Sequence, residues 1–222
     1  MTQPRLDAPA RSALAAAGRR VAESGLVVAS AGNVSLRDGD RVLISRRGVE
    51  LDVMEPHDCI EVDLGGTVIP GDEAPGARPS SELPLHLAIY QEIEAEAIVH
   101  THSHYATVLS TVINELPPIH YAIHRFGGPI RVARYETFGT QELAASVIEA
   151  LENRTAALMG NHGAIVAAGD IESGVSMAIL LEWLASVYYH AIQCGSPNIL
   201  SDAEIAAVSD QVRDLFHTVE AG

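Results

Sequence analysis

The segment NVSLRDGDRVLIS, residues 33–45, limits the available folds more than any other stretch of the chain. Apolar and polar residues alternate on both sides of Asp38-Gly39-Asp40. Alternation with period two marks a half-buried strand, and an Asp-Gly pair supplies the left-handed backbone that a tight hairpin turn requires. An antiparallel pair therefore forms early. The segment CIEVDLGGTVIPG, residues 59–71, repeats the pattern with Gly65-Gly66 as its turn.

Helical runs are predicted from Ala10 to Ser24, from Ser81 to Glu92, from near Tyr105, from Thr140 to Leu151 and from Asp170 to Gln193. A last helix opens at Ser201, where Ser201 and Glu204 form an S-x-x-E capping box. Between the helices lie short strands in AIVHTH (97–102) and PIRVARY (129–135), and a pair that folds back around Gly160–Gly163 in TAALMGNHGAIVAAG (155–169). The segment GDEAPGARPS (71–80) reads as a surface loop tied to function. With no repeat, low-complexity tract or linker, residues 1–222 read as one α/β or α+β domain.

A net charge of −15 argues against a general nucleic-acid binder or a protein docked on anionic lipid. Arg5, Asp7 and Arg11 interrupt the N-terminal region, and no stretch approaches 18 apolar residues without a charge, so no membrane span is expected. Cys59 and Cys194 are too few for a disulfide scaffold, and a cytoplasmic setting is the expectation.

Three of the 10 histidines fall within five positions, at His100, His102 and His104. On a strand, residues i and i+2 face the same way, so His100 and His102 stand about 6–7 Å apart along one face and can converge on one cation. His162, flanked closely by Gly160 and Gly163, sits in a tight strand–strand connection. Glu82 opens the helix before the His100 strand, where its carboxylate can turn toward the strand end. Three imidazoles and a carboxylate make a site for a divalent transition metal, and a carboxylate that leaves the metal would open a position for substrate. His104 reads as a helix-start residue. His57, His86, His120, His124, His190 and His217 carry no spacing signal and read as surface or core polar residues.

In order along the chain stand SAGNVSLR, RPSSELPLHLAIY, IVHTHS, IHYAIHRFGG, ETFGTQELA and NHGAIVAAGD. From about residue 10 to residue 208 this set resembles the class II aldolase/adducin family, most of all its members that cleave fuculose 1-phosphate. The resemblance implies a three-layer αβα sandwich with a largely antiparallel central sheet. It implies a homotetramer with active sites at subunit interfaces, and a small phosphorylated sugar as substrate. It implies a Zn²⁺ held by Glu82, His100, His102 and His162, with Mn²⁺ or Co²⁺ as alternatives. It assigns the substrate phosphate to Gly32, Asn33, Gly48, Ser80 and Ser81. Amides exposed at glycines and the N-terminus of a helix suit an anion, which supports that assignment on physical grounds.

Two positions depart from the family pattern. Arg47 stands where a small hydroxyl residue precedes the glycine, and its guanidinium could grip phosphate, point away or narrow the pocket. The segment RDLFHTVEAG lacks the tyrosine that closes over the neighbouring site. The implied reaction is reversible cleavage of a ketose 1-phosphate to dihydroxyacetone phosphate and a short aldehyde, with Glu82 moving the proton at C3. Tyr121 is implied to donate to the aldehyde oxygen, from the adjacent subunit. Alternatives are cleavage of 5-deoxyribulose or 5-methylthioribulose 1-phosphate, a 4-epimerase, dehydratase or decarboxylase of the same fold, and a non-catalytic adducin-like interaction module.

Overall fold

A computed structural model describes residues 6–71 and 76–219, with side chains as far as residue 215. Residues 72–75 of the Gly/Pro-rich loop, residues 1–5 and the end of RDLFHTVEAG lie outside the described residues. Helix α1 (Ala8–Glu23) precedes β1 (Asn33–Asp38), β2 (Arg41–Ser45) and β3 (Cys59–Asp63). Then come α2 (Leu83–Glu92), β4 (Ala97–Thr101), α3 (His104–Ser110), β5 (Glu115–Leu116) and β6 (Ile130–Ala133). Helix α4 (Gln141–Ala150), β7 (Ala156–Met159), β8 (Gly163–Ala168), α5 (Ile171–Cys194) and α6 (Asp202–Val219) complete the order.

The strands form one sheet in the order β3-β2-β1-β4-β8-β7-β6-β5. Every neighbouring pair is antiparallel except β6–β7. The hairpin is β1–β2, with Asp38 opposite Arg41, so its two-residue turn is Gly39-Asp40, one residue on from the Asp-Gly pair, with Gly39 at a φ of 57°. The second hairpin is shorter than its sequence pattern suggests, reduced to one bridge between Val62 and Val68. The Asp63 carboxylate accepts the Gly65 and Thr67 N–H groups and curls the turn tightly, and Pro70 has no N–H with which to extend the pairing.

Alternation along the strands divides the core in two. Val34, Leu43, Val99, Leu158 and Val166 face α1, α3 and α5, whereas Val42, Ile44, Ile98, Ala157 and Ile165 face α2 and α4. This is the expected three-layer arrangement. Polar caps set the helix starts: Asp7, Thr140 and Asp170 accept from Ala10, Leu143 and Ser173 N–H, and Ser201 and Glu204 form their reciprocal box.

Helix α5 is long and apolar enough to cross a bilayer, with a mean hydropathy of 1.4 over its best window. Its placement marks it as a core helix. Val175, Leu181, Leu184 and Ala185 are buried in the core shared with α1, α3 and the sheet, and its mid-helix Glu182 accepts the Tyr105 and Ala106 N–H groups at 2.8 and 3.0 Å. That carboxylate holds the first turn of α3, just beyond His102.

Candidate metal centre and its cavity

Strand β4 delivers the first imidazole. His100 is paired with Asn33 on one side and Ile165 on the other, and it is fully buried. His102 lies just past the strand end, its N–H donating to the Leu26 carbonyl at 3.0 Å. His162 occupies the turn between β7 and β8, where Asn161 adopts a φ of 54°. A Cβ at Gly163 would stand 2.1 Å from the Thr101 carbonyl oxygen. The absence of one lets the β8 start press against the β4 end, so that His162 meets the other two rings. Gly163→Ala is therefore expected to destabilise the fold by about 1–3 kcal/mol and lower metal content, read by thermal melting and elemental analysis. A variant with parental melting and metal content would break this link between the turn and the cluster.

The three ring centroids are 4.8 to 4.9 Å apart. With Glu82, which immediately precedes α2, one ligand atom from each residue lies within 4.8 Å of every other. His100 Nδ1 donates to the Ala164 carbonyl at 2.9 Å, which turns its Nε2 toward Glu82 Oε2 at 3.1 Å and His102 Nε2 at 3.0 Å. Glu82 Oε1 is buried without a hydrogen bond, 3.5 Å from His162 Nε2.

Burial would raise the Glu82 carboxyl, but the His100 imidazole beside it, with His162 and the Asn33 amide, holds it well below the usual carboxylate range. Burial and the neighbouring imidazoles push His102 down to about 4 and lower His162. Burial opposes charge on His100 too, yet the adjacent Glu82 carboxylate raises it. An anionic carboxylate beside three imidazoles, of which His102 and His162 are biased toward the neutral form, with one buried acceptor unpartnered, is a donor set that fits a tetrahedral divalent cation.

The cluster opens on a cavity of about 350 Å³. Gly32, Asn33, Arg47, Gly48, Ser80 and Ser81 all line it, together with Glu82, His102 and His162. Gly32 has a φ of 81°, and a Cβ there would meet Val27 at 2.5 Å. Gly48 has a φ of 75°. The Ser80 hydroxyl accepts the Glu82 N–H at 3.2 Å, so its helix-capping role and its place on the wall coincide. Arg47 is exposed at the rim, whereas the neighbouring Arg46 guanidinium is bonded to Asp58.

Asn33 faces two ways. Its backbone belongs to β1, but its side-chain amide donates to Glu82 Oε2 at 2.9 Å and accepts from His86 at 2.5 Å. Tyr121 stands outside this cavity, exposed on a 3₁₀ turn (Tyr121–Phe126) with its ring 4.4 Å from that of His120. His104 is the exposed first residue of α3.

The sequence reading missed Tyr135, Glu136 and Phe138, which line the cavity from the loop before α4. ETFGTQELA carries two of these three, but nothing in a loop's composition says which way its side chains turn. It also passed over His86, which is fully buried with its proton affinity lowered by that burial to about 3. The available signal was its spacing of four from Glu82, which places both on one helix face.

Residues 12–189 match the family model described as the class II aldolase and adducin N-terminal domain. A 5-deoxy-D-ribulose 1-phosphate aldolase from Bacillus thuringiensis serovar kurstaki is 37% identical over 198 residues, spanning 88% of this chain and 91% of that protein. A 5-methylthioribulose-1-phosphate/5-deoxyribulose-1-phosphate aldolase from Rhodospirillum rubrum is 35% identical, spanning 91% and 90%. A solved L-fuculose 1-phosphate aldolase superposes with a TM-score of 0.88 at 31% identity, covering 94% of this chain and 98% of that one.

Proposed function

The chain belongs to the class II aldolase and adducin family, and from that premise we propose that it is a zinc-dependent aldolase. It reversibly cleaves a ketose 1-phosphate into dihydroxyacetone phosphate and a short aldehyde. The observation that carries this reading is the unpartnered Glu82 Oε1, buried among three imidazoles on the wall of the cavity. A non-catalytic adducin-like module has no use for such a group, and burying it without a partner destabilises the fold.

Glu82, His100, His102 and His162 would hold the metal. When bound, a divalent ion supplies the Lewis acidity that spreads the negative charge developing on substrate oxygens as the C3–C4 bond breaks. Glu82 Oε1 moves the proton at C3. The Gly32 and Gly48 backbone, Asn33, Ser80 and Ser81 hold the phosphate at the other end of the substrate, with Arg47 at the rim as a further cationic contact.

Tyr121, exposed and away from its own cavity, would donate its phenol O–H to the aldehyde oxygen in a neighbouring copy of a homotetramer. Residues 1–222 act as a single domain. The two free cysteines suit a cytoplasmic enzyme. Zn²⁺ is preferred over Mn²⁺ or Co²⁺ because imidazole-rich sets suit it.

Substrates of the fuculose 1-phosphate type are one reading of the aldehyde half. The names of the two relatives support a second, a 5-deoxyribulose or 5-methylthioribulose 1-phosphate. Both readings place an apolar tail on the aldehyde, in keeping with Tyr135 and Phe138 on the cavity wall, each 63% exposed. Metal-replete protein incubated with L-fuculose, 5-deoxyribulose and 5-methylthioribulose 1-phosphates is expected to release dihydroxyacetone phosphate from at least one. L-Ribulose 5-phosphate, added alongside, reports on the epimerase alternative. No triose phosphate from any of the three would end the aldolase reading.

A further inference from the structure

Helix α2 and strand β1 meet through two sequence periods. Glu82, His86 and Tyr90 recur every four residues along one side of the helix, and Asn33 and Ser35 share one face of the strand. All five are buried. The Tyr90 hydroxyl lies 2.7 Å from Ser35 Oγ, Ser35 Oγ lies 2.7 Å from His86 Nδ1, and His86 Nε2 lies 2.5 Å from Asn33 Oδ1. Asn33 Nδ2 completes the chain on Glu82 Oε2 at 2.9 Å.

The chemistry of the two ends fixes the direction of every link. A carboxylate only accepts, so the Asn33 amide presents its N–H to Glu82 and its oxygen to His86. That oxygen only accepts, so His86 carries its proton on Nε2 and accepts the Ser35 O–H at Nδ1. Ser35 in turn accepts from the Tyr90 O–H. Reversing any link would bring two acceptors together in a buried place.

We propose that His86 and Ser35 are positioning residues for the reaction. They lock the Asn33 amide so that Oε2 of Glu82 stays hydrogen-bonded and Oε1 alone is free to take up the metal or a substrate proton. The use made of Oε1 rests on the aldolase reading, whereas the lock itself does not. A network that only pinned α2 to the sheet would affect folding and leave the two carboxylate oxygens with the same division of labour.

The test compares the parent with His86→Leu, His86→Gln and Ser35→Ala, all metal-loaded, in kcat, KM and the visible absorption of the Co²⁺-loaded proteins. His86→Leu is expected to lose about 10–100-fold in kcat with KM little changed, and to alter the Co²⁺ spectrum. His86→Gln keeps an N–H for Asn33 and should recover most of the loss. Ser35→Ala should move both readouts the same way by less. A folded His86→Leu protein with parental kcat and spectrum overturns the proposal, and so does an equal loss in the Leu and Gln variants. If His86→Leu does not fold, Ser35→Ala decides, and parental behaviour there overturns it. A parent that cleaves no ketose 1-phosphate sinks the aldolase reading instead, while the Co²⁺ spectra, recorded without substrate, still decide the positioning role.

Discussion

Glu82→Gln is expected to keep most of its metal and to lose at least about 10²-fold in turnover, the usual scale for removal of a general base. His100, His102 and His162 remain to hold the ion, and three imidazoles suffice in many catalytic zinc sites. The new amide is not free to choose its orientation. Asn33 Nδ2 donates at the Oε2 position, so the glutamine must place its carbonyl oxygen there and its NH₂ where Oε1 stood. That NH₂ neither ligates a cation nor accepts a proton. The measurement is kcat on metal-replete protein with zinc content determined in parallel. A variant with full zinc and undiminished kcat would remove Glu82 from the proton transfer and leave it a ligand only.

His102→Ala is expected to abolish both zinc binding and cleavage. His100 stays fixed by two neighbouring strands and by its bond to Ala164, but it cannot replace the missing donor. Removing one of the four donors loosens the grip on zinc, and loss of the metal removes the stabilisation of charge as the C3–C4 bond breaks. Far-UV circular dichroism should be unchanged, because His102 lies beyond the end of β4 and is only half-buried. Equal zinc in variant and parent would take His102 out of the site.

Much of this was legible in the sequence because local chemistry and the sheet pattern agree. Asp38-Gly39-Asp40 signalled the β1–β2 hairpin, with Gly39 supplying the left-handed turn residue, and alternation in AIVHTH put Ile98 and His100 on the same face. Gly163 signalled a close backbone approach, and the structure puts that approach against Thr101. What stayed hidden were relations that exist only after packing. The two-residue strand β5 is too short to carry a period. The second hairpin pattern ran past the point where Pro70 ends the pairing. His86 looks like any polar residue in a helix until Asn33 and Ser35 are brought against it from a strand about fifty positions away. The sequence reading of Asn33 stops at a phosphate contact, since its bond to Glu82 crosses 49 positions.

The strand that carries His100 has three strands on one side of it and four on the other. Sheets breathe at their frayed margins, and the interior strands part only when the domain as a whole comes undone. An ion held by the cluster would take one donor from that rigid interior and three from strand ends and turns beside the cavity, and its binding to the folded state would reinforce the domain. The grip on a metal would thereby depend on the turns that carry Glu82, His102 and His162 as much as on the strand that carries His100.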